Sequence, residues 1–386
     1  MNNAESNTTP KNKIKRKLFS SRGGTDISFF ILVMVILAVG LIMMFSASYA
    51  FAYYNEKGDS YFYIKRQLLF AAIGVAAMIA VSYFDYHHWR KFVLPVLGVT
   101  YATLIVVLFM PEVKGVKRWI DLGFTTFQPS EVAKFAVVIA FAHFISLNFK
   151  KMGTFKYGVL PYALILGSVC VLMMLEPHIS GTVLILLIGA IMLFVGGMKL
   201  RYFAAVGGAA LAGIGYMVIS GKIIYAMTRF EVWIDPWKDR LGDGWQNIQA
   251  LYAIGSGGVF GVGLGNSRQK YLYISEPQND FVFAVVCEEL GFIGALIIII
   301  LFALLVWRGF VIALKAPDKL GTLLVIGFVA QVGIQAALNI AVVTKLVPNT
   351  GISLPFFSAG GTSLVMLLVQ MGIVMSVARS SKMEKS

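Results

Sequence analysis

The sequence predicts an all-α polytopic membrane protein of about ten transmembrane helices, with one long extracytoplasmic loop between spans 7 and 8. Three observations predict it. Hydrophobic residues make up 58% of the 386 residues and charged residues only 13%, whereas a soluble domain is about 25% charged; the mean hydropathy is +0.78. Apolar runs near the ~20 residues needed to cross a bilayer recur along the whole chain. Basic residues gather between alternate runs, as the positive-inside rule requires.

Residues 1–26 are a polar, basic tail bearing Lys11, Lys13, Lys15, Arg16, Lys17 and Arg22. The apolar run that follows exceeds the ~7–15 residues of a secretory-signal core, so it reads as an uncleaved first span despite the small residues at Ser46-Ala-Ser-Tyr-Ala. Spans are expected at 27–48, 67–84, 92–110, 129–147, 158–175, 180–197, 202–219, 280–307, 320–343 and 360–379. The second is short and the fourth contains Glu131 and Lys134, which leaves nine as the alternative count.

With the N-terminus inside, the cytoplasmic turns hold Arg90 and Lys91, then Lys150, Lys151 and Lys156, then Lys199 and Arg201. Arg308, Lys315 and Lys319 follow, and Arg379, Lys382 and Lys385 close the chain. On the other side the 176–179 turn has no Lys or Arg, and 344–359 has only Lys345. Both termini are therefore expected in the cytoplasm. Residues 27–379 form a single transmembrane domain with loop 220–279 outside, and 380–386 a cytoplasmic tail. The net charge of +14 reads as orientation signal and contact with anionic lipid. No nucleic-acid motif accompanies it, so no nucleic-acid partner is expected.

Cys170 and Cys287 both fall inside expected spans, and the four histidines show no metal-ligand spacing. His87 and His88 are expected to be solvated in a turn. The Gly255–Gly265 run lacks the βαβ context of a dinucleotide loop. No internal repeat is evident, which weakens a transporter built on inverted repeats.

The loop before Asp280 is the most informative stretch. It is polar, glycine-dotted and rich in aromatics, and long ordered loops are usually functional. It ends in Asp280, a carboxylate at the start of the next apolar helix.

Ionisable groups in spans cost about 2.5–3.5 kcal/mol each and are functional hypotheses by default. Glu131 and Lys134 are three apart on one helix face, just after Gln128-Pro-Ser. Pro129 suits a first helical turn, and the helix dipole favours Glu131 there. Two readings stand: an internal ion pair, or the lining of a polar cavity that opens outward. Glu288 and Glu289 lie about two turns into the eighth span, while Gln331, Gln335 and Asn339 form an i, i+4, i+8 stripe on the ninth. Such a stripe is interhelical glue, or, facing the two glutamates, a polar cavity beneath Asp280. Lys114, Lys117 and Arg118 precede Trp119, and Arg229, Lys238, Arg240, Arg268 and Lys270 lie in the long loop. Basic and aromatic residues at a membrane surface suit an anionic amphiphile such as a lipid phosphate, or plain headgroups.

These motifs converge. The chain resembles the SEDS family, the FtsW/RodA/SpoVE group of bacteria, over nearly its whole length after residue 26. The markers are Phe45-Ser-Ala-Ser, Lys65-Arg-Gln-Leu, Gly115-Val-Lys-Arg-Trp-Ile and Gln128-Pro-Ser-Glu-Val-Ala-Lys. Glu176-Pro-His-Ile-Ser-Gly-Thr, Gly261-Val-Gly-Leu-Gly-Asn-Ser and Glu276-Pro-Gln-Asn-Asp-Phe-Val-Phe-Ala follow. Last come Glu288-Glu-Leu-Gly-Phe-Ile-Gly and Pro348-Asn-Thr-Gly-Ile-Ser-Leu-Pro-Phe-Phe-Ser-Ala-Gly-Gly-Thr-Ser. The long loop looks most like the division and sporulation branch.

The resemblance implies glycan-strand polymerisation from lipid II on the outer face of the cytoplasmic membrane, in division or sporulation. It also implies partnership with a class B penicillin-binding transpeptidase and other division proteins. The family's catalytic aspartate, in its Thr-Asp-Phe-Ile-Phe motif, falls on Asp280, and its Arg-Trp-Ile aromatic on Trp119. Substrate contacts are expected at Lys117, Arg118, Trp119, Gln128, Ser130, Glu131, Lys134, Arg268, Lys270, Glu276 and Ser358. A divalent cation, Mg²⁺ or Mn²⁺, could be held partly by Asp280; no organic cofactor is implied. The chain departs from the family pattern at Ser275-Glu276, Asn279-Asp280 and Ala359-Gly-Gly-Thr-Ser, where Pro-Glu, Thr-Asp and Tyr-Gly-Gly-Ser-Ser are usual. Asn279 for Thr is expected to keep a helix cap before Asp280. Two other classes compete: a lipid II flippase, and a non-enzymatic scaffold that recruits a transpeptidase.

Overall fold

The computed structural model describes residues 24–112, 116–123, 125–205, 230–242 and 244–383. Helix α1, Ile27–Asn55, is started by Asp26, whose carboxylate accepts the Phe29 N–H at 3.0 Å. The same carboxylate binds Arg308 at 2.7 Å and so ties the first helix to a distant one. Then come α2 Phe62–Tyr83, α3 Trp89–Leu108, α4 Pro129–Asn148, α5 Leu160–Leu175 and α6 Ile179–Val195. A shorter α7, Trp245–Gly257, lies in the long loop. The chain ends with α8 Val282–Leu314, α9 Lys319–Val343 and α10 Gly361–Met383.

Among the described residues, eight helices, some with short helical extensions, are long and apolar enough to cross a membrane; α6, at 17 residues, is a shorter apolar helix. The expected short second span is a full 22-residue helix, and the charged fourth is helical too. The expected seventh span, 202–219, lies mostly outside the described residues, as do Lys114 and Arg229.

Burial divides the helices. In α4, α9 and α10, 67%, 72% and 67% of the spanning window is buried, against 22% in α2. Two of these three enclosed helices, α4 and α9, carry the Glu131–Lys134 pair and the amide stripe, because a polar side chain inside a bundle avoids hydrocarbon. Lys134 and Glu131 pair at 2.8 Å on α4, and Lys134 also donates to Gln335 of α9 at 3.2 Å.

Helix α8 is broken at Gly291, where φ is +66° and ψ is −167°. The break frees backbone groups, and the glycine loop takes them up. Val262 and Gly263 donate to the Glu288 and Glu289 carbonyls at 2.9 and 3.0 Å, while Phe292 donates to Gly258 at 2.9 Å. Backbone this irregular is tolerated only where such exchanges satisfy it. A Cβ on Gly261 would lie 2.2 Å from the Glu289 carbonyl oxygen, and one on Gly291 2.3 Å from the Gly261 nitrogen. Both glycines are required by close approach.

One of the two open readings and one expectation are corrected here. Glu288 and Glu289 do not face the amide stripe. Glu288 accepts the Arg268 N–H at 2.9 Å and the Ser267 hydroxyl, and Glu289 binds Lys270 at 2.9 Å and Ser46 at 2.7 Å. They hold the loop against the break in α8. His87 is not simply solvated either: it bridges Asp85 at 2.6 Å and Asp318 at 3.0 Å. Burial opposes the charge on Asp318, yet hydrogen bonds from His87, Gly321 and Tyr86 hold its carboxyl down at about 2. Cys170 and Cys287 are both free.

Candidate active site

Between Gln128 and the first turns of α4 the chain does what its sequence suggests: Pro129 starts the helix and Glu131 sits in its first turn. Just before it, a two-stranded hairpin pairs Ile120 with Phe127 and Asp121 with Thr126. Arg118 and Trp119 lie immediately before that hairpin. They form one wall of a cavity of about 670 Å³.

The other walls come from distant parts of the chain. Tyr63, Arg66 and Gln67 enter from α2, His178 and Ser180 from the start of α6, and Gln335 from α9. The segments 276–280 and 350–364 complete it, bringing in Glu276, Asp280 and Ser358. Of the expected substrate contacts, Arg118, Trp119, Gln128, Ser130, Glu131, Lys134, Glu276 and Ser358 therefore line one space with Asp280.

Asp280 is held through its own backbone by a side chain of α9. Asn339 donates from one amide to both the Asp280 carbonyl at 2.7 Å and the Ile352 carbonyl at 2.6 Å. Ala359 N–H donates to the Gln278 carbonyl at 2.8 Å, and Gln67 grips the Ser358 carbonyl and the Gly360 N–H, both at 3.2 Å. Gly351 (φ +68°) lies beside the Asp280 carboxylate; an added Cβ would sit 3.6 Å from Oδ2. The amide stripe thus serves as glue at Asn339 and as cavity wall at Gln335. The Asn279 expectation is corrected: α8 starts two residues after Asp280, without a side-chain cap, and Asn279 donates to Glu276 at 2.6 Å. Ser358 turns its hydroxyl onto the Leu354 N–H at 2.7 Å.

Four buried polar atoms on the wall have no hydrogen-bond partner among the described residues: Ser130 Oγ, His178 Nδ1, Gln278 Oε1 and Thr350 Oγ1. Buried polar atoms are ordinarily paired, so these four leave the wall with unused hydrogen-bonding capacity. Arg118 is aimed by the α5–α6 turn, donating to the Glu176 carbonyl at 3.5 Å and to the Pro177 carbonyl. In that turn burial drives the Glu176 carboxyl up to about 8, Arg118 opposing. Burial, then Arg118 and Lys134, push the His178 imidazole down to about 3, so it is neutral.

Three expected contacts lie elsewhere. Lys117 and Arg268 are not on the cavity wall. Lys270 is fully buried, its ammonium enclosed by Glu289, Ser46 and the Gly265 carbonyl at 2.9, 3.3 and 2.6 Å. Conversely, Arg66, Gln67 and His178 are on or behind the wall without having been singled out. Their signal was the Lys65-Arg-Gln-Leu and Glu176-Pro-His motifs, which mark the residues but not their direction. Among the described residues no three His, Cys, Asp or Glu side chains gather as a metal site.

A family profile described as "Cell cycle protein" (FtsW/RodA/SpoVE) matches residues 26–383. Stage V sporulation protein E of Bacillus subtilis (strain 168) is 42% identical over 364 residues, covering 92% of this chain and 98% of that protein. The probable peptidoglycan glycosyltransferase FtsW of Geobacter sp. (strain M18) is 39% identical, covering 92% and 97%. A solved chain described as "Structural coordination of polymerization and crosslinking by a peptidoglycan synthase complex" superposes with a TM-score of 0.77 at 28% identity, covering 93% of this chain and 98% of that one. The crystal structure of the Thermus thermophilus rod shape determining protein RodA gives 0.67 at 27% identity, covering 92% and 97%. A profile match from end to end of the membrane domain, joined to relatives of this identity and coverage, means that this chain belongs to the FtsW/RodA/SpoVE family of cell cycle proteins.

Proposed function

We propose that this protein is a peptidoglycan glycosyltransferase that polymerises glycan strands from lipid II at the outer face of the cytoplasmic membrane, in division or sporulation, with Asp280 as its base. One observation carries the reading: a single polar cavity joins Asp280 to Arg118 and to unpartnered hydrogen-bonding atoms. The names of the FtsW relatives support the activity.

In the reaction the 4-hydroxyl of one lipid-linked sugar attacks the anomeric carbon of another. A carbon–oxygen bond forms there, and the bond to the lipid pyrophosphate breaks with its electron pair. Asp280 takes the hydroxyl proton. Arg118, held by the Glu176 and Pro177 carbonyls, offers fixed positive charge to the leaving pyrophosphate. Arg66 lines the same cavity and offers a second cation. With one carboxylate in this role, the geometry suits a single inverting displacement. The donor set would leave a Mg²⁺ or Mn²⁺ ion with Asp280 and substrate phosphates as ligands, a pattern common for Mg²⁺.

The flippase reading is less well supported. The cavity's deepest lining residues, Lys134 on α4, Leu367 on α10, Phe70 on α2 and Gln335 on α9, lie about two turns from the near ends of their helices. Transporter sites lie near the midplane instead. The crosslinking half of the solved synthase complex supports a class B penicillin-binding transpeptidase as partner.

Strand synthesis by purified protein tests the proposal. Asp280→Asn should lose about 10²–10⁴-fold in rate, the usual loss of a general base. Asp280→Glu should fall between the two, since a displaced group costs on the order of 10²-fold. Neither a flippase nor a scaffold needs a base, so near-parental synthesis by Asp280→Asn would reopen both.

A further inference from the structure

Away from the cavity, a second cleft of about 210 Å³ opens where the first turn of α1 meets the last turns of α2 and α10. Its walls are apolar: Ile27 and Phe30 from α1, Ile79 and Tyr83 from α2, Met375 from α10. Ile27, Ile79 and Tyr83 are exposed and form the open side. The floor is polar. Arg379 lines the cleft and is only 4% exposed.

The guanidinium of Arg379 is under-used. It lies over the Tyr83 ring at 3.8 Å, and its Nη2 donates to Thr25 Oγ1 at 2.9 Å. Among the described residues its Nε has no hydrogen-bond partner and no carboxylate pairs with it. A guanidinium carries five donors and cannot lose its charge. Buried charges are ordinarily paired. The missing partner is therefore an anion with several acceptor oxygens.

Position says which anion. Tyr83 is the last residue of α2, Ile27 the first of α1, and Arg379 lies one turn before the end of α10. All three sit at helix ends at the rim of the bundle, where spans of this length would meet the headgroups of a bilayer, while Ile79, Phe30 and Met375 continue inward as an apolar trough. A phosphate on a hydrocarbon chain fits that sequence of surfaces; a free ion uses only its floor. We infer that this cleft is a specific binding site for an anionic membrane phospholipid, whose phosphate takes the free donors of Arg379 and whose acyl chain packs on Ile79 and Phe30.

Native mass spectrometry of the purified full-length protein tests the site, with phosphatidylglycerol or phosphatidylcholine of matched chains added back after delipidation. One phosphatidylglycerol should be retained in preference to phosphatidylcholine. Arg379→Gln should lower that retention about tenfold, as expected for a lost charge-assisted hydrogen bond. Ile79→Trp keeps the charge and fills the trough, and should lower retention as well. Lys315→Gln removes an exposed cation at the same end of the bundle and should change nothing. Equal retention of the two lipids, or unchanged retention in either folded cleft variant, overturns the site. Competition by inorganic phosphate overturns the lipid as its source. Should Arg379→Gln fail to fold, Ile79→Trp decides.

Discussion

Lys270→Met isolates the buried half of the long loop. The parental ammonium is fully enclosed and sits 2.9 Å from Glu289, whose side chain is also fully buried. At that separation the attraction is roughly 6 kcal/mol for an effective dielectric near 20. Desolvation of both ions offsets most of it, so the intact pair adds little net stability. Removing one ion is different. Met keeps the volume but leaves Glu289 charged, buried and facing only the Ser46 hydroxyl and the Ser267 N–H. The expected loss is about 3–5 kcal/mol. Adding Glu289→Gln should restore most of it, because no charge is then left alone. Unfolding of both singles and the double in detergent gives the coupling directly. The substrate response separates this from a contact role: folded Lys270→Met should use lipid II with an unchanged KM. Parental stability together with a raised KM would refute the structural assignment and return Lys270 to the substrate.

The hairpin basic pair should split. Arg118→Ala should lose about 1–3 kcal/mol of transition-state stabilisation, read as kcat/KM, while Lys117→Ala stays near parental; equal losses would contradict the placement of Lys117 off the wall. Glu176 gives a pH test. Its folded value of about 8 exceeds the ordinary 4.5, so the unfolded chain releases its proton first and stability falls as pH rises between those values. Glu176→Gln, neutral throughout, should flatten that fall in thermal midpoints; an unaltered slope would sink the assignment. For orientation, a Cys placed near Gly242 should react with an impermeant label from outside and one near Lys385 should not, with the reverse pattern overturning the proposed sidedness.

Much of this protein is legible in its sequence, because membrane spans are written in local composition. Runs of about 20 apolar residues can only be helices in a bilayer, and the expected helices appear close to their expected bounds wherever residues are described. The fourth span kept its charges because Glu131 and Lys134 are three apart and could satisfy each other locally. Motif resemblance also gathered Asp280, Arg118, Trp119, Glu131 and Ser358 into one expected site. Direction was not legible. Glu288, Glu289 and Lys270 look like cavity residues on a line of sequence. Only the break at Gly291 turns the two glutamates toward the glycine loop and seals Lys270 among them. Asn339, Gln67 and the carbonyls that aim Arg118 act through contacts between segments far apart in the chain. Those contacts depend on which helices are enclosed, a property of the whole bundle that no local pattern of residues encodes.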